Sequence, residues 1–333
     1  MRDGNTRAHP SRRQVLALLG AAAASGVLPA RAETFPSRTI RIVVPQAPGG
    51  NSDTFGRILA QKLGERINQQ VIVENRAGAG GTLGSALVSK AAPDGYSIVV
   101  ADNGTHAIAP TLYGAKLPYD VFKDFTPIML AATFPTVIIL HPSVPAQNVQ
   151  EFVALVRSQP GKISYSSAGT GNGSHLTVEL FRTAAGGLDM VHVPYKGGAP
   201  AVQALLAGEV QACAVSVNTA MPHINSGKAR ALGVASTKRS PAVPDVPTFI
   251  EGGIPFQADS WLALMGPPGI PGDIAAKLNQ EIAATLREPE TRERLAKIGL
   301  EVVASSQSGL TDVLQRDVPK WGKAVKDSGA VAE

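Results

Sequence analysis

The chain holds one cysteine, Cys213, in 333 residues, so no disulfide forms within it and its stability has to come from packing. Aromatic residues make up only 5% and no sequence period repeats, yet 44% of residues are hydrophobic. That combination excludes a disordered chain, a collagen and a coiled-coil array. An excess of positive charge is also missing where it would matter. The formal charge is +5, but Arg2, Arg7, Arg12, Arg13 and Arg31 precede Glu33 against a single acid, Asp3. The remaining 26 basic and 25 acidic residues leave +1, too little for a basic nucleic-acid surface, and no nucleic-acid partner is expected. Beyond the first 32 residues no stretch is long and apolar enough to span a membrane.

Those first 32 residues read as an export signal. Arg12 and Arg13 precede the apolar run from Val15 to Ala24, and Pro29-Ala30-Arg31-Ala32 offers a small-x-small cleavage pattern. The run is shorter than the roughly 20 residues that cross a bilayer. Ser11-Arg12-Arg13-Gln14-Val15-Leu16 resembles a twin-arginine signal with Val15 in place of Phe, so the export route stays open between the two systems. No cysteine near Ala32 can carry a lipid, and the expected mature product is free in the periplasm.

After the signal, strands and helices alternate. Ile40 to Pro45 reads as a strand, and Phe55, Ile58, Leu59, Leu63 and Ile67 recur at helical spacing behind an N-cap at Ser52 or Asp53. Strands at 71–74 and 96–100 flank a helix at 83–91. The alternation restarts after Pro135, with strands at 137–140, 163–166, 191–193 and 210–217 and helices at 149–158, 174–185 and 199–207. A strand at 261–265 and helices at 272–286, 289–298 and 310–325 follow, too few for a domain of their own. The fold class is therefore α/β with two lobes, each a largely parallel sheet flanked by helices. Residues 33–134 with 256–333 form lobe 1, residues 135–255 form lobe 2, and a ligand cleft lies between them. Cys213 falls in an apolar strand, where a thiol packs as a small hydrophobe.

The motifs of several catalytic classes are lacking. Gly78-Ala79-Gly80-Gly81-Thr82-Leu83-Gly84 and Gly169-Thr170-Gly171-Asn172-Gly173-Ser174 miss the last glycine of a dinucleotide fingerprint, and neither ends as a phosphate loop does. The histidines lack ligand spacing, so neither metal nor cofactor is expected. Ser174 and His175 are helix neighbours projecting about 100° apart, and no Gly-x-Ser-x-Gly elbow exists. A secreted serine hydrolase using Ser174 or Ser52 remains the alternative from the enzyme class, without an identifiable base, and no catalytic residue is assigned.

What recurs is a strand ending in Gly and small polar residues before a helix. It appears at Pro48, Gly49, Gly50, Asn51, Ser52 and Asp53, and at Asn103, Thr105 and His106. It appears again at Ser167, Gly169, Thr170, Gly171, Asn172, Ser174 and His175, and at Tyr195, Lys196 and Gly197. Unpaired amides at such helix starts point at whatever sits there, each end contributing about 0.3 to 1 kcal/mol toward an anion, so several together hold a carboxylate without an arginine. Asp53 has helix capping as its plain alternative, and Tyr195 and Lys196 an ordinary turn.

At these residues the chain resembles the Bug receptors of tripartite tricarboxylate transporters. The likeness is carried by Phe35 to Pro45, Pro48 to Asp53, Val73 to Gly81, Ala91 to Tyr96, Gly104 to Ile108, Val193 to Gly198 and Asp245 to Thr248. It implies a type II periplasmic-binding-protein fold that closes over a small carboxylate without catalysis. The loops matching Pro48 to Asp53 and Ser167 to His175 would hold the ligand, partly through ordered waters, and transporter membrane subunits would be the partner of a monomer. Many relatives carry an acid and then Asn where this chain has Val215 and Ser216. Ser216 thereby joins the candidate ligand residues, and Val215, unable to neutralise an ammonium, implies a ligand without a basic group, such as a di- or tricarboxylate or an aromatic acid.

Overall fold

A computed structural model describes residues 35–332. The export signal expected at residues 1–32 lies outside them. From Arg38 onward the chain forms one compact unit holding two sheets.

The first sheet grows from β1 (Ile40–Val44), whose residues are almost all buried. The helix α1 (Asn51–Ile67) follows, burying Phe55, Ile58, Leu59 and Leu63 on one stripe and ending at Asn68 in the left-handed conformation, φ 49°. Strand β2 (Val71–Asn75) returns parallel to β1, in register from Ile40 with Val71 to Val44 with Asn75. The helix α2 (Thr82–Ser89) then carries the chain to β3 (Ser97–Asp102), which pairs parallel to β1 on its other side. A turn of π-helix, Gly104–Ile108, and a short helix, Ala109–Tyr113, follow β3. Three further strands, β4 (Thr126–Phe134), β10 (Ser260–Gly266) and β11 (Glu301–Val302), complete the order β11-β4-β10-β3-β1-β2.

The second sheet has the order β7-β6-β8-β5-β9, from β5 (Thr136–Leu140), β6 (Ser164–Ser167), β7 (Val191–Pro194), β8 (Ala212–Ser216) and β9 (Arg230–Val234). Its helices are α3 (Val149–Ser158), α4 (Gly173–Ala184), α5 (Gly198–Leu206) and α6 (Val217–Asn225). The C-terminal helices are α7 (Gly272–Arg287), α8 (Pro289–Lys297) and α9 (Gln307–Ser328).

The α/β architecture matches the expectation, with one qualification: both sheets are mixed. The βαβ units pair in parallel, whereas β10 runs antiparallel to β3 and β4, and β5 runs antiparallel to β8 and β9. Both β10 and β5 enter their sheet from the other one, while β11 runs antiparallel to β4 at the edge of the first sheet. Strand β4 leads straight into β5 through Pro135, and Ser260, opening β10, lies in register with Phe134. The two crossings thus run side by side. One buried cluster reaches from Val43 and Val99 in the first sheet to Tyr165 in the second and Phe152 on helix α3. Cys213 is buried in β8, its thiol pushed up by burial to about 11, which leaves it an inert packing residue.

Candidate functional site

Five turns leave the carboxyl ends of parallel strands: β1 into α1, β3 into the π turn, β6 into α4, β7 into α5 and β8 into α6. All five, together with the two crossings, contribute to one cavity of about 310 Å³. Asn51 comes from the start of α1, Asp102, Asn103 and Gly104 from the end of β3, Asn172 to Ser174 from the start of α4, Gly198 and Ala201 from α5, and Ser216 and Thr219 from α6. Phe134, Thr136 and Ser260 come from the crossings.

Three of the four long helices that start here have no side-chain cap. The N-caps of α1 and α5 are Gly50 and Gly197, and Ser216 before α6 turns its hydroxyl to Thr219 Oγ1 at 2.8 Å. The first amides of α1 and α5 therefore lack a partner from a capping side chain and are available to a ligand, whereas the first amide of α6, Val217, donates to the Pro135 carbonyl at 3.1 Å. In α4 the Asn172 side chain accepts from the Ser174 amide at 3.0 Å. Phe134, Ala201, Ala214 and Val215 supply the apolar wall of the lining. Among the described lining residues Asp102 alone is ionisable, so an anion held here depends on backbone dipoles, amides and hydroxyls.

Of the residues proposed from sequence, Asn51, Asn103, Asn172, Ser174 and Ser216 line this cavity together. Pro48, Gly49 and Gly50 form the exposed approach to Asn51. Gly169, Thr170 and Gly171 make the turn before Asn172, while Tyr195, Lys196 and Gly197 make the one before Gly198, with Tyr195 Oη donating to Glu209 at 3.0 Å. Ser52, Asp53, Thr105, His106, Ser167 and His175 are buried behind the lining.

Several of these buried groups have well-defined supporting contacts. Helix α1 starts at Asn51, one to two residues earlier than the cap read at Ser52 or Asp53. Asp53 instead sits in the first turn and accepts from the Gly49 amide at 2.9 Å, from Asn75 Nδ2 at 2.9 Å and from Arg57 Nε at 3.0 Å. Burial pushes its carboxyl up, but the bonds from Arg57, Gly49 and Asn75 outweigh that and hold it below the usual carboxylate range. His106 packs on Tyr119 and Phe125, and burial drives its imidazole down to about 3, so it is neutral. Thr105 belongs to the turn itself, with its amide donating to Asp102 Oδ1 at 2.8 Å and its carbonyl accepting from Tyr119 Oη at 2.7 Å.

The serine–histidine contacts are structural braces. Ser174 Oγ accepts from the Ala168 amide at 2.9 Å, while His175 Nδ1 accepts from the Gly171 amide at 3.1 Å, so the two side chains fix separate points of one loop. Ser167 Oγ lies 2.6 Å from His192 Nε2, but Ser167 has no exposed surface on which to meet a substrate. Sequence reasoning passed over Asp102, the two crossings and the apolar wall apart from Val215. Asp102 stood in a recognised turn, and Phe134-Pro135-Thr136 carried no signal beyond its proline.

The family model described as the tripartite tricarboxylate transporter family receptor matches residues 55–330. A UPF0065 protein from the tcbD–tcbE intergenic region of Pseudomonas sp. strain P51 is 37% identical, over 96% of this chain and 95% of its own. Among solved structures, the periplasmic binding protein BugD is 35% identical with a TM-score of 0.73, over 90% of this chain and 100% of its own. MatC from Rhodopseudomonas palustris, solved with bound malate, is 35% identical with a TM-score of 0.73, over 87% and 100%.

Proposed function

This chain belongs to the tripartite tricarboxylate transporter receptor family, a family of periplasmic solute-binding receptors rather than enzymes, and from that premise we propose that it captures a small carboxylate in the cavity around Asn51, Asn172 and Ser216 and delivers it to membrane subunits of such a transporter. Cleavage near Ala32 would release it as a monomer into the periplasm. The working halves are residues 33–134 with 256–333 and residues 135–255, which close on the ligand.

The observation that carries this reading is the pair of uncapped helix starts, α1 and α5, meeting the Ser216 turn at one cavity whose lining has no cation. Unused amides in such a place suit an anion that brings its own acceptors. The loops Pro48 to Asp53 and Ser167 to His175, with Asn103, Thr105, His106, Tyr195, Lys196, Gly197 and Ser216, bind the ligand or hold the groups that do. Val215 in the wall supports a ligand without a basic group. The bound malate of MatC is in keeping with a carboxylate.

A thermal-shift screen of carboxylic acids tests the reading. A true ligand raises stability by RT ln(1 + [L]/Kd), about 2.7 kcal/mol at a hundredfold excess over Kd. A chain that answers to none of the acids refutes it, and tighter binding of glutamate or aspartate than of any plain carboxylate refutes the absence of a basic group.

A further inference from the structure

We propose that Thr136, Ser260 and Asn103 form a second polar subsite in the cavity, which takes an oxygen-bearing far end of the ligand, a carboxylate or a hydroxyl. The subsite sets the preference for such acids over acids of the same length that end in a methyl group. The proposal rests on the reading of the cavity as a carboxylate site and deepens it.

The subsite comes from the crossings rather than from the glycine turns alone. Strand β5 reads Thr-Val-Ile-Ile-Leu with every residue buried, and β10 reads Ser-Trp-Leu-Ala-Leu-Met-Gly. Each strand carries one hydroxyl, at its first residue, where it lines the cavity. Thr136 is only 5% exposed, and its carbonyl accepts from the Ala235 amide at 2.7 Å. Its Oγ1 has no partner among the described residues. Valine would fill the same space without a polar atom to desolvate, so packing alone does not call for threonine here. Asn103, 6% exposed, is a second such group: it caps no helix start, and its side-chain amide has no partner among the described residues. Ser260 Oγ, in the same lining, is the third.

The strand registers bring the three together. Ser260 stands opposite Phe134, and Thr136 opposite Ser216. Leu262 pairs with Asp102, which puts Ser260, two residues before it, beside the turn at Asn103 and Gly104. Phe134 therefore offers an apolar contact next to the polar ones. Asp102 is taken up by its own turn, accepting from the Thr105 and Gly104 amides, Thr105 Oγ1 and Gln46 Nε2, and burial raises it, which lessens its opposition to an incoming acid. Two hydroxyls and an amide donate to a carboxylate or exchange bonds with a hydroxyl. A methyl group in that place displaces water and leaves all three unpaired.

Each acid that answers the thermal-shift screen is titrated calorimetrically at pH 7.5 beside the analogue that ends in a methyl group. The pairs are succinate with butyrate, adipate with hexanoate, and terephthalate or 4-hydroxybenzoate with 4-methylbenzoate, and any other responding acid with its own analogue. The wild type is expected to bind at least one oxygen-bearing acid about tenfold or more tighter than its analogue, and Thr136→Val and Ser260→Ala each to shrink that ratio about fivefold or more. Thr136→Ser keeps the hydroxyl and should keep the ratio. Unliganded Thr136→Val is expected to melt no lower than the wild type, because the hydroxyl it loses has no partner to leave behind. Equal or tighter binding of the methyl acid in every pair, a screen answered only by acids without a second oxygen group, or an unchanged ratio in both variants overturns the proposal while leaving the receptor reading standing. A lower melting point in Thr136→Val with an unchanged ratio identifies the hydroxyl as a structural brace and overturns its part in the subsite. Silence toward the whole screen removes the receptor reading and this proposal with it.

Discussion

His175 and His192 stack face to face, their ring centroids 3.9 Å apart and their planes 13° from parallel, directly behind the loop that leads into α4. Tyr165 lies against the pair, 5.0 Å from the His192 ring. Among the described residues, the charged groups set around the two rings are Glu179, whose Oε1 is 3.9 Å from His175 Nε2, and Arg182, which donates to the same oxygen at 2.5 Å. Burial lowers both imidazoles, His192 to about 4, with His175 adding to the effect on His192, Arg182 adding to it on both and Glu179 opposing it.

The pH dependence of stability follows from that. A histidine whose folded pKa is depressed stays neutral in the native state while the unfolded chain takes up a proton near pH 6.5. Stability is full above that pH and falls as pH drops from 6.5 toward about 4, each such ring adding a slope of at most about 1.4 kcal/mol per pH unit. Burial raises Asp102 and Asp259, which act in the opposite sense in the carboxylate range, so the histidine slope is best read between pH 6.5 and 5. Urea midpoints are expected to fall across that window, and less steeply in His192→Gln. The same slope in both proteins would show that the stacked pair does not titrate on unfolding.

Asp53→Ala removes an acceptor shared by Gly49, Asn75 and Arg57. A hydrogen bond to a charged group is worth about 1.5–3 kcal/mol, less here because Gly49 and Arg57 are exposed and bond water once the carboxylate is gone, and Asp53→Asn costs less still because one acceptor oxygen survives. Because the Gly49 amide is tied to this carboxylate, the same variant should weaken ligand binding through the position of Gly50 and Asn51. Urea denaturation and calorimetry measure the two effects separately, and lost stability with intact affinity would uncouple the loop from the site.

The parts of the fold that follow a single period were legible. Phe55, Ile58, Leu59 and Leu63 mark the buried stripe of α1, and α3 falls at Val149–Ser158 as its spacing indicates. Strand β4 was not legible, because Thr126–Phe134 carries Pro127 and then a continuous apolar run with no alternation. Strand β9 contains Gly233, and α6 contains Pro222, each a signal against the element that forms. Val217, read as the end of a strand, is the first residue of α6, since a strand and a helix that meet without a turn leave no punctuation between them. In the site, glycine and asparagine before a helix were visible as types. The apolar wall was not, because Phe134 and Ala214 become neighbours only through the crossing of the two sheets.

Gly84 separates packing from binding. Its position in α2 brings the backbone close enough that an added Cβ would stand 2.7 Å from the Arg76 carbonyl oxygen and 2.9 Å from Pro45 Cα. Gly84→Ala must shift backbone, at a cost of about 1–3 kcal/mol. Gly84 does not line the cavity, so calorimetry should give an unchanged Kd while the urea midpoint falls. A Kd that moves with the midpoint would place α2 in the binding machinery.

Val215→Asp tests the wall from inside the site. Val215 is half-buried at the end of β8, in register with Val137, and its side of the cavity has no cation to balance a new acid. Two like charges about 4 Å apart interact by about 4 kcal/mol at an effective dielectric constant of 20, and partial exposure reduces this. The variant is expected to bind its plain carboxylate ligand at least about tenfold more weakly, a loss of about 1.4 kcal/mol or more, and to recover affinity as pH falls and the new acid is protonated. Val215→Asn introduces similar polarity without charge and should lose less. If both variants lose affinity equally at pH 7.5, apolar contact with Val215 rather than charge governs this wall, and the ligand presents an apolar face to it.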